Sequence, residues 1–170
     1  MLKLVYAPDP ILKKECLPVP QVDNHHRDLI SQMYDVMYKA NGVGLAAPQV
    51  GIDMRIFILD SGAREEEKKP LTMINPVLVS LDEETTPYEE GCLSFPEHLA
   101  EIDRPDKLTV EYLDEKNKKK VLSTDGYTSR IIQHELDHLN GILFVDYLSR
   151  LKRDVIIRKM KKFKKDQSSI

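Results

Sequence analysis

Residues 133–138 read Gln133-His134-Glu135-Leu136-Asp137-His138, two histidines four apart with a glutamate between them. On an α-helix that spacing puts both imidazoles on one face. They can then hold one divalent cation, with the glutamate placed beside it as a base. A catalytic centre of this kind uses three protein ligands and keeps one position open for water. No glutamate follows Glu135 and no histidine follows His138. The longer pattern H-E-x-x-H-x-x-G-x-x-H matches through Gly141 and fails at Phe144. Of the later aspartates, Asp154 and Asp166 sit in a basic segment and read as solvated, which leaves Asp146. The third ligand is therefore expected upstream. His25 and His26 read as a solvated helix end, and His98 is a possible ligand without supporting context. Cys16 reads as a small buried side chain. Cys92 differs: it follows Gly91 in EEGCLSFP (89–96), where the backbone can turn sharply. A thiolate is a soft ligand that suits zinc or ferrous iron. Cys92, His134 and His138 thus form a three-ligand set with room for water.

These residues need a scaffold, and 170 residues suffice for one domain with a real core, taken as 1–170. Composition is ordinary for a globular chain, 41% hydrophobic and 31% charged, and a net charge of −3 points to neither nucleic acid nor membrane. No apolar run approaches the ~20 residues of a membrane span. The N-terminus lacks a secretory core, and two cysteines make a poor disulfide framework. The reading is a cytoplasmic protein, with a processed organellar one left open. Asp9-Pro10 opens a short helix through Glu15, and Pro18 and Pro20 extend the chain after it. Asp23 or Asn24 caps a helix to about Lys39, with Leu29, Ile30, Met33, Tyr34 and Met37 on one side. Asn41-Gly42 stops it. Strands are expected at 54–59, at 71–79 with an edge or bulge at Asn75-Pro76, at 107–114, and at 119–123 as a hairpin partner. Asp125 caps the motif helix and Asn140-Gly141 ends it. A last helix runs from about Tyr147 to Lys165. Helices, then strands, then helices make the fold class α+β, with mostly antiparallel strands around the H-E-x-x-H helix.

Three segments, GVGLAAPQVG (42–51), EGCLSFP (90–96) and QHELDHLNG (133–141), resemble the signature motifs of the peptide deformylases, in order and at typical separations. The likeness covers nearly the whole chain, including DPILKK (9–14) and HLNGILFVDYL (138–148), and is of the bacterial type with a helical C-terminus. It implies a substrate, the N-formyl-methionine end of a nascent polypeptide, and a reaction that releases formate. It also implies Cys92, His134 and His138 as ligands of ferrous iron, with zinc, nickel or cobalt able to substitute. A bound divalent cation lowers the pKa of its water toward ~7, so that water becomes the nucleophile. Glu135 takes the water proton and passes it to the leaving nitrogen. By resemblance the oxyanion donors are the Gln49 side-chain amide and the Leu93 N–H.

Gly42 and Gly44 let a peptide approach closely, and family members bind it as an added strand that pairs at Gly44. The methionine slot falls to Val43, Ile131 and Tyr127 by position, with Gly91 at the same cleft. Glu90 and Arg104 either orient the ligands or form an ordinary surface pair. Leu99 stands where many relatives carry arginine, beside the peptide cleft. In 148–165, Leu148, Leu151, Val155, Met160 and Phe163 form an apolar stripe among nine lysines and arginines. That stripe reads as packing on the domain. The cationic face reads as a contact for ribosomal RNA near the exit tunnel, in an otherwise monomeric enzyme. Two other readings are weaker. An internal-bond metallopeptidase lacks its usual third ligand here, and a non-catalytic metal-stabilised module would not need both Glu135 and Gln49.

Overall fold

The computed structural model describes residues 1–170. Asp9 accepts a hydrogen bond from the Ile11 N–H at 3.1 Å and opens a 3-10 turn, Pro10–Lys13, two residues shorter than expected. Helix α1 spans Asn24–Lys39. Asp23 accepts from the His26 N–H, and His26 Nδ1 accepts from the Asp23 N–H, so His26 completes a capping box. Asn41, at φ 56°, takes the left-handed position that ends the helix.

The glycine- and alanine-rich stretch becomes a short strand, β1 (Gly44–Ala46), and a 3-10 turn, Ala47–Val50. Then come β2 (Ile56–Asp60), β3 (Pro70–Leu81), β4 (Thr85–Gly91), β5 (Leu99–Pro105), β6 (Leu108–Leu113) and β7 (Lys119–Thr124). Helix α2 spans Gly126–Leu139, a 3-10 turn covers Phe144–Tyr147, and helix α3 spans Arg150–Gln167. The last helix therefore starts three residues later than the sequence predicts, because Ser149 caps it through the Lys152 N–H.

Every strand pair is antiparallel. One sheet runs β1-β2-β3-β6-β7, and β4 and β5 form a separate hairpin. The sheet is covered on both faces, which explains why β2 is apolar throughout. Ile56 and Ile58 face Leu29, Ile30, Met33 and Met37 of α1. Phe57 and Leu59 face Ile131, Ile132, Leu136 and Leu139 of α2. A third cluster joins Leu12, Phe95, Ile102, Phe144 and Met160, and it seats α3. The α3 stripe differs from the sequence reading: Leu151 is 75% exposed, while Ile156 and Ile157 pack inward beside Met160 and Phe163.

Two asparagines stitch the extended segment before α1 to the sheet. Asn75, at φ 49° in a bulge of β3, bonds both the N–H and C=O of Val19, at 2.8 and 2.7 Å. Asn117, in the β6–β7 turn, does the same to Val22, at 2.8 and 2.9 Å. No helix is long and apolar enough to cross a membrane.

Candidate active site

Helix α2 places Arg130, His134 and His138 at successive four-residue steps, on one buried stripe. Its N-cap residue, Asp125, is extended, and its side chain makes no capping bond. Gly141 follows the helix at φ 71°, and a Cβ there would fall 2.5 Å from the Lys13 carbonyl oxygen, so the turn after the helix requires glycine. Facing the stripe, Cys92 follows the last residue of β4. Its Sγ lies 3.3 Å from His138 Nε2. One ligand atom from each of Cys92, His134 and His138 lies within 4.8 Å of the others. His25 and His26 sit on α1, away from this group, and His98 lines the cleft without joining it.

Electrostatics divide the two imidazoles. Burial opposes charge on His134, but Cys92 and Glu90 outweigh it and hold the pKa well above the usual value. Burial, His134 and Arg104 push that of His138 well below. A thiolate with two imidazoles is a donor set of the right softness for zinc or ferrous iron, so the residues fit one divalent cation. Ligand protons must leave when it binds.

Glu135 is 3% exposed, and its Oε2 has no hydrogen-bond partner. Burial pushes its pKa up to about 7. Gln49, in the turn after β1, is fixed by the Ala46 N–H donating to its Oε1 at 2.9 Å. Its Nε2 donates toward Cys92 Sγ at 3.4 Å and to Ser94 Oγ at 3.2 Å. The Leu93 N–H donates to no backbone carbonyl. Gly44 packs on the carboxylate: a Cβ there would stand 2.5 Å from Glu135 Oε1.

Glu90 and Arg104 are both buried and form no surface pair. Arg104 donates to both Glu90 oxygens, at 2.6 and 3.0 Å, and Glu90 Oε1 lies 3.0 Å from His134 Nδ1. Burial alone would raise the Glu90 pKa, but His134 and Arg104 bring it down to about 2. Asp137 accepts from Arg104 and from Tyr147 Oη, at 2.9 and 2.7 Å.

A cleft of about 800 Å³ opens onto this group. Gly42, Val43, Gly44, Gln49, Gly91, Leu93, Tyr127 and Ile131 all line it. So do Arg64, Tyr88 and Arg130, which sequence reasoning did not single out. For Arg130 a signal existed: it precedes His134 by one helical turn. Strands β1 and β4 each pair on one side only, and their free edges border the same cleft.

An α+β fold whose cleft holds a potential metal-ligand triad and a buried, unpartnered carboxylate has the make-up of a hydrolase. Residues 1–154 match the family model described as polypeptide deformylase. The peptide deformylase of Rhizobium meliloti is 45% identical over 166 residues, covering 98% of this chain and 95% of its own. A crystal structure of the Legionella pneumophila peptide deformylase superposes with a TM-score of 0.91 at 41% identity, covering 99% and 98% of the two chains. The Ehrlichia chaffeensis peptide deformylase, solved in complex with actinonin, gives a TM-score of 0.90 at 38% identity, covering 95% and 96%. The chain belongs to the polypeptide deformylase family. It is an enzyme of that family, whose members are metalloenzymes.

Proposed function

We propose that this enzyme removes the N-formyl group from the N-terminal methionine of newly made polypeptides and releases formate. The observation that carries the reading is Glu135. It is a buried carboxylate with a free oxygen and a pKa of about 7, set beside Cys92, His134 and His138. A pKa near 7 suits a group that must take a proton and give it back. Those three residues would hold one divalent cation, ferrous iron in the cell, with zinc, nickel or cobalt as substitutes. When bound, the cation supplies Lewis acidity and makes water a nucleophile near neutral pH.

Glu135 accepts a proton from the attacking water and delivers it to the amide nitrogen as the C–N bond breaks. Gln49 Nε2 and the Leu93 N–H donate to the formyl oxygen as it gains charge. Glu90, held by Arg104, fixes the His134 ring through Nδ1. The peptide lies extended between the free edges of β1 and β4, with Gly42 and Gly44 allowing close backbone approach and Gly91 at the same cleft. Its methionine side chain enters the space between Val43, Ile131 and Tyr127. The enzyme works as a cytoplasmic monomer, one catalytic domain over residues 1–170. The exposed lysines of α3 contact the ribosome near its exit tunnel.

Formate release is measured from formyl-Met-Ala-Ser, with protein purified without oxygen, beside Glu135→Ala and the acetylated peptide. Release by the unaltered enzyme alone, on the formyl peptide alone, supports the reading. No release from fully metallated protein overturns it.

A further inference from the structure

Arg130 is buried, with its side chain 9% exposed, yet it is no metal ligand, and Glu90 is the only acid it pairs with. Nη1 donates to Glu90 Oε2 at 3.2 Å and to the Ile102 carbonyl at 3.0 Å. Nη2 donates to the Thr86 carbonyl at 2.6 Å and to Thr86 Oγ1 at 3.3 Å. The Tyr88 ring lies over the guanidinium, 5.1 Å from centroid to Cζ. Thr86, Tyr88 and Glu90 alternate along β4 and so share one face, and Ile102 is the register partner of Tyr88 on β5. Arg130 therefore bonds both strands of the hairpin, from the helix that carries His134 and His138. Arg104 already holds Glu90 by two bonds, and what Arg130 adds is the pair of backbone carbonyls, with Thr86 Oγ1 and the Tyr88 ring beside them. A planar fork can reach both at once, and a lysine ammonium cannot reproduce that geometry.

We propose that Arg130 is a positioning residue of the active site. It sets the distance between β4 and α2, and with it the width of the peptide cleft and the approach of Glu90 to His134. The inference rests on the deformylase reading for its substrate arm, while its metal arm stands without it. A residue that merely filled the interior would give way to an apolar side chain with no change at the site.

The test compares Arg130→Lys and Arg130→Met with the unaltered enzyme. Cobalt(II) affinity is read from the absorbance of the bound ion, and KM and kcat from formyl-Met-Ala-Ser. Lysine keeps the charge near Glu90 and loses the fork. R130K is expected to hold cobalt affinity within about threefold while raising KM at least threefold, with kcat nearly unchanged. R130M is expected to raise KM further and to weaken cobalt binding about tenfold, the lower end for loss of an outer-shell partner. An R130K enzyme equal to the unaltered one in KM overturns the inference, whether or not R130M folds. So does a folded R130M with unchanged cobalt affinity. Failure of the unaltered enzyme to release formate would sink the deformylase reading and leave the cobalt comparison to decide on Arg130.

Discussion

Replacing Glu135 by glutamine separates the electrostatic cost of this site from its chemistry. In the folded chain the carboxyl is 3% exposed with one oxygen unpartnered, and burial lifts its pKa from 4.5 to about 7. The folded state then binds a proton more tightly than the unfolded one. An acid of this kind supports the fold at low pH, and that support is lost as pH rises from about 4.5 through about 7. The gap corresponds to about 3 kcal/mol in full, of which about 2–3 kcal/mol falls between pH 5 and pH 8. Glutamine cannot ionise. Its amide leaves a buried donor without a partner, at about 1–3 kcal/mol, but that cost does not vary with pH. The assay is urea unfolding of metal-free protein, with chelator present, at pH 5, 6, 7 and 8. Going from pH 5 to pH 8, the unaltered protein should lose about 2–3 kcal/mol more stability than Glu135→Gln. Two stability curves that stay parallel across this range would show that Glu135 titrates normally, and the argument for its buried charge would fall. In the metallated enzyme the same substitution should lower kcat by about 10²–10⁴.

Gly44→Ala puts a Cβ 2.5 Å from Glu135 Oε1 and 3.0 Å from Ile131 Cγ2. Displacing the carboxylate should cost about 10² in kcat, read beside an unchanged circular dichroism spectrum. Gln49→Glu places an anion beside Cys92 Sγ and removes the donor now 3.4 Å from it. A kcat loss of about 10²–10³ is expected in steady-state formate release. For α3, deleting residues 150–170 would remove Met160, which is fully buried, so charge reversal is the cleaner perturbation. Reversing the exposed Lys161, Lys162 and Lys165 should weaken ribosome co-sedimentation and flatten its salt dependence, with the melting transition kept. Leu99 is 62% exposed, and its Cδ2 leans to 2.8 Å from where a Gly91 Cβ would stand. Leu99→Arg should shift kcat/KM toward formyl-Met-Asp and away from formyl-Met-Lys, by up to about fivefold for an exposed charge.

What was legible in the sequence was what local spacing encodes. The four-residue step of His134 and His138, the Asp23 cap, the α1 stripe and the apolar run of β2 all depend on neighbours close in the chain. The β4–β5 hairpin was not read because its residues facing α2 are polar: Glu90 and Arg104 are buried against Arg130 and Asp137, and Thr86, though exposed, is bonded by Arg130. An alternation rule scores such residues as solvent-facing. Arg130 stayed hidden for the same reason, since its acceptors lie 28 to 44 residues away. On α3 the periodicity alone could not choose between faces. Phe163 packs edge-on to Tyr6, ring centroids 5.2 Å apart, and that N-terminal contact turns Ile156 and Ile157 inward and leaves Leu151 outside.

The two unpaired strand edges bordering the cleft also bear on timing. An exposed edge usually invites a neighbouring sheet, but here both free edges border one cleft. On the proposed reading one extended strand pairs between them, and a strand already belonging to a sheet would not. A chain end tucked into a helix or hairpin has its own backbone groups already paired. It can offer none to β1 or β4. If the peptide binds in this way, processing is a race against the folding of the substrate. N-termini that stay extended keep their chance, and those that fold early carry their first residue away unread.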